Sequence, residues 1–384
     1  MLAFTAGRLL TPNEIIDHAA MVVDEGRVLE IASRGDGQLP ARATHVDFGD
    51  AVIAPGYVDL HIHGSGGFDV MDHRAEALPA IERVLARHGV TSYFPTTVTA
   101  PMESTLRALE RLANSVEARE RMSGRAIPLG IHLEGPFISH ARRGVHPAEN
   151  LLPARVETFE RLWQAARGRI RMMTIAPELE GALEVIKSAA ARGVCVSLGH
   201  SNADFAATQR AIDGGARHAT HTFNAMRPLT HRDPGILGAL LTDTRVSADI
   251  IADGIHLDPA IVKLVAQLKG RKLVLITDAT AATGMPDGRY HLGPIEVDVK
   301  DGVCSLNGKL AGSVLTMDRA VRNLSQFAGW SVSEAVAAAS RNPAHVARCI
   351  GKGVLSPGAD ADFLVLNQQG EVLRTFIAGV ETLH

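Results

Sequence analysis

The chain has 384 residues, of which 46% are hydrophobic and 21% are charged, and its formal net charge is -3. These proportions are ordinary for a soluble globular protein, and the charge gives no reason to expect nucleic acid or an anionic membrane as a partner. No run of residues approaches the roughly 18 consecutive apolar side chains that a transmembrane helix requires.

The first residues and the cysteines bear on cellular location. The chain begins without the basic segment and apolar core of a secretory signal. Cys195, Cys304 and Cys349 are far apart and odd in number, so they predict neither a disulfide framework nor a zinc knuckle. A reducing, cytoplasmic location is therefore expected.

The N-terminal part of the chain is predicted to be β-sheet with tight turns. Gly, Pro and Asp separate short apolar segments there, and no segment of helical length and periodicity occurs before residue 55. The predicted strands are 3–9, 20–23, 27–31 and 45–48.

From Val52 onward, apolar strand segments alternate with amphipathic helical segments. The predicted strands are 58–62, 91–95, 129–133, 171–175, 194–198, 218–222, 247–251 and 273–277. The predicted helices between them are 77–88, 102–118, 156–166, 180–192, 204–214 and 259–269. This alternation of eight strands with helices predicts an α/β fold, a closed (β/α)8 barrel of the TIM type. An open doubly wound sheet is the alternative, and Gly64–Gly67 after the first strand is interpreted as a flexible loop rather than its phosphate turn.

After the eighth strand the regular alternation ends. Residues 289–311 are predicted to form a β-hairpin excursion with strands 295–299 and 303–306, followed by helices 316–328 and 333–340. Segments 362–366 and 372–377 return to strands. We therefore predict two domains: a small β-sandwich built from residues 1–54 and 355–384, and a catalytic barrel at 55–354.

Six metal-ligating side chains fall at the C-terminal ends of predicted barrel strands. They are His61 and His63 on the first strand, Glu134 on the third, His200 on the fifth, His221 on the sixth and Asp278 on the eighth. In a barrel these ends converge on one face, where catalytic groups lie. Imidazole and carboxylate together suit a divalent ion such as Zn²⁺ or Fe²⁺.

The number of ions stays open at this point. Glu134, His200 and His221 could hold one ion with an open coordination position. His61, His63 and Asp278 could hold a second, with Glu134 as a shared bridge. The alternative for Glu134 alone is a structural one, in which the carboxylate caps the following turn or helix.

Eight short segments in sequence order carry a resemblance to a known family. The segment Pro55-Gly-x-x-Asp-x-His-x-His63 resembles the opening signature of the amidohydrolase superfamily. The more specific segments are HLEGPF at 132–137, GVH at 144–146, LGHS at 198–201, HTFNAM at 221–226, IADGIH at 251–256, TDA at 277–279 and LAGS at 310–313. Together they resemble the N-acetylglucosamine-6-phosphate deacetylase family. Many superfamily members use a carbamylated lysine as the metal bridge, but no Lys follows the fourth strand here, and Glu134 can take that role.

The resemblance implies roles for individual residues. Asp278 would be the general base that takes a proton from a metal-bound water, and then the acid that protonates the leaving amine. His146 would stabilise the oxyanion. The substrate contacts would come from Val145, His146, Asn224, Ala225, Asp253, His256, Leu310, Ala311 and Gly312.

The resemblance also implies a phosphorylated amino sugar as substrate and a homodimer. Arg232 would bind the phosphate in the neighbouring subunit's site, whereas the part played by Arg227 stays open. The implied reaction is metal-dependent hydrolysis of N-acetyl-D-glucosamine 6-phosphate to D-glucosamine 6-phosphate and acetate. The alternatives are an amidohydrolase acting on a different N-acyl amine or cyclic amide, and a non-enzymatic relative that kept the barrel.

Overall fold

The computed structural model describes residues 1–33, 40, 42–118 and 124–382. Its centre is a closed barrel of eight parallel strands, which confirms the predicted fold class. In chain order the barrel strands are Tyr57–Ile62, Val90–Thr97, Ile131–Glu134, Ile170–Ile175, Cys195–Leu198, His218–Ala219, Ser247–Ile251 and Leu273–Ile276. Each strand pairs with the next, and the eighth meets the first where Asp278 N donates to His61 O at 2.9 Å.

Helices surround the barrel and bury a continuous apolar core against it. They are Ala77–Arg87, Met102–Ala118, Val156–Ala165, Ala182–Ala191, Phe205–Asp213, Gly235–Thr242, Pro259–Lys269, Met317–Ala328, Val332–Ala339 and Arg341–Val346, with short 3₁₀ turns at His140–Arg142, Ala148–Asn150 and Gly270–Lys272. All six helices predicted between strands form, with ends that differ by two residues at most.

Two helices were missed by the sequence analysis. Helix Gly235–Thr242 is buried along seven of its eight residues, so it lacks the polar face that reveals an amphipathic helix. Helix Arg341–Val346 contains Pro343, and a proline commonly lies just beyond a helix end. Pro343 lies in the first turn, where the backbone N–H groups have no intrahelical acceptor and proline is tolerated.

Strands from both ends of the chain join in one eight-stranded sheet beside the barrel. They are Leu2–Leu10, Ile15–Asp24, Arg27–Ser33, Thr44–Asp47, Val52–Pro55, Phe363–Leu366, Val372–Ile377 and Val380–Glu381. This terminal sheet has its own core, in which the Phe363 and Phe376 rings stack with centroids 4.4 Å apart and the Phe4 ring meets Phe363 edge-on. The domain limits given above stay a prediction, and residues 383 and 384 lie outside the described range.

A four-stranded sheet follows the eighth barrel strand, where the hairpin excursion was predicted. Its strands are Gly288–Leu292, Ile295–Lys300, Val303–Leu306 and Lys309–Leu310. This hairpin sheet has a small apolar core of its own, and Val145 packs against that core. The hairpin sheet thereby brings residues 309–312 to the C-terminal face of the barrel.

One global property is relevant to membranes. Among the described residues, no helix has both the length and the apolar character needed to cross a bilayer.

Candidate metal centre

Glu134 lies at the centre of a cluster formed by all six predicted metal ligands. On one side its Oε1 is 3.2 Å from His200 Nε2 and 3.1 Å from His221 Nε2. On the other side its Oε2 is 3.3 Å from His63 Nε2 and 3.5 Å from His61 Nε2. The two oxygens of one carboxylate thus face two separate pairs of imidazoles.

Asp278 lies beside the second pair of imidazoles, those of His61 and His63. Its Oδ1 is 3.2 Å from His63 Nε2 and 3.5 Å from His61 Nε2. The side chains of this group are almost completely buried, with 11% of the Asp278 side chain exposed. The strand ends of the barrel therefore bring four imidazoles and two carboxylates into one enclosed cluster.

Backbone carbonyl groups fix the orientation of three histidine rings in the cluster. The Nδ1 atoms of His63, His200 and His221 lie 3.0, 3.0 and 3.2 Å from backbone carbonyl oxygens, which only accept hydrogen bonds. When such a ring is neutral, as metal ligation requires, Nδ1 carries the proton and Nε2 presents a lone pair to the cluster. Lone pairs on His200 and His221 only 3.1 Å apart repel each other unless a cation lies between them.

The donor set fits a divalent ion. Two groups have ligand atoms that all lie within 4.8 Å of one another: Glu134 with His200 and His221, and Glu134 with His61 and His63. Imidazole with one or two carboxylates is a common ligand set of zinc and iron in proteins. The backbone carbonyls behind the rings act as the outer partners that fix ring orientation at metal sites.

The pKa values of both carboxylates in the cluster are shifted in the direction that favours the ionised form. Burial by itself would raise the pKa of Glu134, but the surrounding imidazoles, with His61 foremost, hold it well below its usual range. Burial would likewise raise the pKa of Asp278, and the rings of His61 and His63 lower it below its usual range. Two buried carboxylates that contact the same pair of imidazoles further favour a bound cation.

Three of the ligands have unusual backbone conformations. His200, His221 and Asp278 have φ values of 46°, 29° and 50°, in the left-handed region that non-glycine residues rarely adopt. The chain turns sharply at each strand end and so aims these side chains into the cluster. Backbone strain of this kind concentrates at functional sites.

Buried polar residues beneath the cluster hold the ligands in place. Asp59 accepts hydrogen bonds from the backbone N–H of His61 at 3.2 Å and from that of Thr277 at 3.3 Å, so it ties the first strand to the eighth. Asp249 accepts from the His221 backbone N–H. Alternation along the first strand puts Asp59 on the same side as His61 and His63, and that pattern could have revealed its role.

His146 lies beside the cluster in a defined tautomer. Its Nδ1 accepts a hydrogen bond from the Thr99 backbone N–H at 3.2 Å and is 2.8 Å from the Thr99 hydroxyl. A neutral ring with an accepting Nδ1 carries its proton on Nε2. That Nε2 is 3.6 Å from Glu134 Oε2, so the ring presents an N–H donor toward the cluster.

The cluster forms the floor of a cavity of about 300 Å³. Seven of the predicted substrate-contacting residues line it: Val145, His146, Asn224, Ala225, His256, Leu310 and Gly312. The Asn224 amide nitrogen is buried without a hydrogen-bond partner among the described residues. A buried donor facing a cavity is costly unless a ligand accepts its hydrogen bond.

Three predicted substrate residues are not part of this cavity wall. Ala311 packs in the core of the hairpin sheet. Asp253 accepts hydrogen bonds from the His256 backbone N–H at 2.8 Å and from His256 Nδ1 at 2.7 Å, so it orients His256. Arg232 is exposed and does not line the cavity of its own chain.

Basic side chains also belong to the cavity wall. Arg142, Arg143 and Lys309 line it, and they are more exposed than the buried floor. Arg227 instead pairs with Asp233, with Nε 3.0 Å from Oδ2. The cavity therefore combines a floor that contains two carboxylates with a cationic rim.

Comparison with known proteins agrees with this geometry. Residues 52–382 match the model of the amidohydrolase family. N-acetylglucosamine-6-phosphate deacetylase from Bos taurus is 38% identical, over 97% of this chain and 89% of that protein. N-acetylgalactosamine-6-phosphate deacetylase from Escherichia coli O157:H7 is also 38% identical, over 97% of both. The structure of a mutant N-acetyl-D-glucosamine-6-phosphate deacetylase from Mycobacterium smegmatis, in complex with N-acetyl-D-glucosamine-6-phosphate, superposes with a TM-score of 0.93 at 36% identity and covers 100% of this chain and 99% of that one.

Proposed function

The chain belongs to the amidohydrolase family, and we propose that it hydrolyses N-acetyl-D-glucosamine 6-phosphate to acetate and D-glucosamine 6-phosphate. The observation that carries this proposal is the arrangement around Glu134. A cation-binding cluster, an N–H donor on His146 and a buried carboxylate on Asp278 surround one cavity. These are the groups that hydrolysis of an amide requires.

The cluster would hold one or two divalent ions, with Zn²⁺ or Fe²⁺ as the favoured metals. One ion would be held by Glu134, His200 and His221. A second would be held by His61, His63 and Asp278 together with the same Glu134. The ion would supply a Lewis acid and would lower the pKa of a water molecule from about 16 toward about 7.

Asp278 would move the proton in both halves of the reaction. Its ionised Oδ1 would accept a proton from the attacking water. As the C–N bond of the acetamide breaks, the same carboxyl would return that proton to the amine nitrogen of the sugar. One buried carboxylate can act as base and then acid because it ends each turnover ionised again.

His146 would stabilise the negative charge that develops on the acetamide oxygen. Its Nε2–H is fixed before substrate arrives, since the Thr99 backbone N–H occupies Nδ1. A preorganised donor of this kind contributes because it needs no reorientation during the reaction.

We expect His146→Ala to lower kcat about 100-fold while bound metal stays unchanged, because one oxyanion donor is worth about 10²–10³ in rate. Acetate release and elemental analysis of the same sample would measure both quantities. His291→Ala, an exposed imidazole on the hairpin sheet, is the matched control. An unchanged kcat, or a variant that loses its metal, would show that His146 has another role.

The rest of the cavity suits a phosphorylated sugar. The Asn224 amide would donate to the sugar, and His256, held by Asp253, would face the phosphate. Lys309 and Arg142 would add positive charge around it. Arg232 does not line the cavity of its own chain, so we propose that it enters the partner's cavity in a homodimer and binds the phosphate through its planar guanidinium.

Arg232→Ala is expected to raise KM for the phosphorylated sugar about ten- to a hundredfold, because hydrogen bonds to charged groups contribute about 1.5–3 kcal/mol. The kcat should change little. Steady-state kinetics alongside Arg289→Ala, an exposed arginine on the hairpin sheet, would measure the effect.

Mixing variants tests whether Arg232 acts between subunits. A mixed dimer of Arg232→Ala and Asp278→Asn subunits contains one site with an intact Asp278 and an Arg232 from the partner. In an equal mixture about half of the dimers should be mixed, and one of the two sites in each mixed dimer is intact. About a quarter of all sites should therefore show the wild-type KM. No recovery would place Arg232 outside the neighbouring site.

A second substrate has specific support. The E. coli relative that acts on N-acetylgalactosamine 6-phosphate is as similar to this chain as the Bos taurus relative. The two sugars differ only in the configuration at C4, far from the acetamide. A direct comparison of kcat/KM for the two phosphorylated sugars would assign the preferred one.

Acetate release from phosphorylated and unphosphorylated N-acetylglucosamine tests the proposed function. We expect kcat/KM to be at least 100-fold higher for the phosphorylated sugar, because the cationic groups have no partner on the neutral one. Equal values would favour an amidohydrolase acting on a different N-acyl amine.

We place the protein in the cytoplasm, where the free thiols of Cys195 and Cys304 would stay reduced.

A further inference from the structure

A second large cavity opens at the N-terminal end of the barrel, opposite the strand ends that carry the metal ligands. Its volume is about 670 Å³, within the size range of ligand sites. Arg217, Arg245 and Lys272 lie just before the sixth, seventh and eighth barrel strands, and helix Arg341–Val346 supplies a further wall. This basal cavity is therefore separate from the catalytic one.

The basal cavity is strongly cationic. Its lining includes six basic side chains, namely Arg217, Arg245, Arg271, Lys272, Arg341 and Arg348, and His345 in addition. None of the described residues that line it is Asp or Glu. Because the whole chain carries a net charge of -3, this concentration of positive charge is a local feature. Cationic clefts concentrate anionic ligands.

Most of these charges are not neutralised. Within the described part of the chain, the guanidinium groups of Arg271 and Arg348 make no hydrogen bond or ion pair, although the Arg348 backbone N–H donates to His345 O at 3.1 Å. Arg217 and Arg341 donate to backbone carbonyls through Nη1 only, at 2.6 to 2.8 Å, so their Nε and Nη2 protons stay available. Arg245 differs, because it pairs with Asp243 at 2.6 Å and Asp213 at 3.0 Å.

We propose that the basal cavity binds a small anion that carries at least two phosphate groups. Guanidinium groups bind phosphate oxygens in a bidentate manner, which favours phosphate over other anions. The unneutralised cations come from several separate elements around a large volume, more than a single phosphate would contact. The lining has no Phe, Tyr or Trp on which a base could stack, which favours a sugar bisphosphate over a nucleotide.

Calorimetric titration of the metal-loaded enzyme with fructose 1,6-bisphosphate tests this proposal. The wild-type protein should bind it with a submillimolar Kd, at least tenfold more tightly than inorganic phosphate or MgATP. Arg271→Ala with Arg348→Ala should weaken binding at least tenfold. The matched control is Arg161→Ala with Arg289→Ala, two exposed arginines outside the cavity, which should stay within twofold of wild type.

Two further measurements distinguish binding in the basal cavity from binding elsewhere on the protein. The Arg271→Ala, Arg348→Ala double variant should keep its kcat/KM for acetate release and its Tm. The Arg271→Lys, Arg348→Lys double variant keeps the charge but loses the planar guanidinium, so it should weaken binding less than the Ala double variant does. The proposal would be overturned if the wild-type protein did not bind fructose 1,6-bisphosphate at millimolar concentration. It would also be overturned if the Ala and Lys double variants of Arg271 and Arg348 both bound it as tightly as wild type. Binding that is lost in Arg232→Ala instead would assign the bisphosphate to the catalytic cavity, and tighter MgATP binding would overturn the ligand class.

Discussion

Asp278→Asn is expected to lower kcat by about 10³-fold or more while the ion beside His200 and His221 stays bound. The substitution keeps the shape of the side chain, but the amide cannot accept a proton from water or return one to the amine. General acid–base catalysis contributes about 10²–10⁴ in rate, and here one group would serve both steps. Single-turnover acetate release and metal analysis would measure the two effects.

The matched control for this variant is Asp298→Asn, an exposed carboxylate on the hairpin sheet. It should retain wild-type kcat. A rate for Asp278→Asn within tenfold of wild type would remove Asp278 from the role of base. Loss of both rate and all metal would instead show that Asp278 is chiefly a ligand.

Glu134→Gln is expected to abolish tight metal binding and to leave less than about 1% of the activity. The reason is geometric: one carboxylate contacts both pairs of imidazoles, and the Nε2 atoms of His200 and His221 both lie beside its Oε1. Removal of its charge weakens both positions at once, because an amide is a much poorer ligand than a carboxylate. Metal affinity by competition with a chelator, beside acetate release, would measure the loss.

Glu82→Gln is a stringent control, because Glu82 is also buried, with 6% of its surface exposed, and lies outside the cluster. It should retain full metal affinity whatever its effect on Tm. If Glu134→Gln bound metal as tightly as wild type, the carboxylate would not be a ligand and the capping interpretation of Glu134 would be preferred.

The barrel, and the convergence of the six predicted ligand side chains, could be predicted from the sequence for a physical reason. Strand segments such as 273–276 are apolar runs bounded by polar residues, and alternation puts His61 and His63 on the same side of one strand. The rule that parallel strand ends meet at one face then brings Glu134, His200 and Asp278 together. The structure confirms the barrel. It places His200 beside Glu134, and Asp278 beside His61 and His63, which also contact Glu134.

The finer geometry of the cluster depends on tertiary contacts that the sequence does not reveal. Left-handed φ values at His200 and Asp278 arise because each strand ends in a turn fixed by neighbouring elements. The tautomer of His146 depends on Thr99, which lies 47 residues earlier in the chain. Lys309 reaches the cavity only because the hairpin sheet packs over the barrel.

Burial also removed signals that sequence reasoning uses. Helix Gly235–Thr242 has no polar face because it is enclosed on all sides, so its periodicity was undetectable. Ala311 was expected at the substrate from a motif, but its side chain belongs to the hairpin core. A motif identifies a segment, whereas the direction of each side chain is decided by packing.

Restoring metal to chelated protein tests the central claim most directly. The protein would be stripped of metal, and acetate release from N-acetyl-D-glucosamine 6-phosphate would be followed as Zn²⁺ or Fe²⁺ is added. If the cluster around Glu134 performs the hydrolysis, the rate should fall below about 1% after stripping and rise in proportion to bound metal up to one or two equivalents per chain. Full activity with less than about 0.1 equivalent of metal bound would contradict the account.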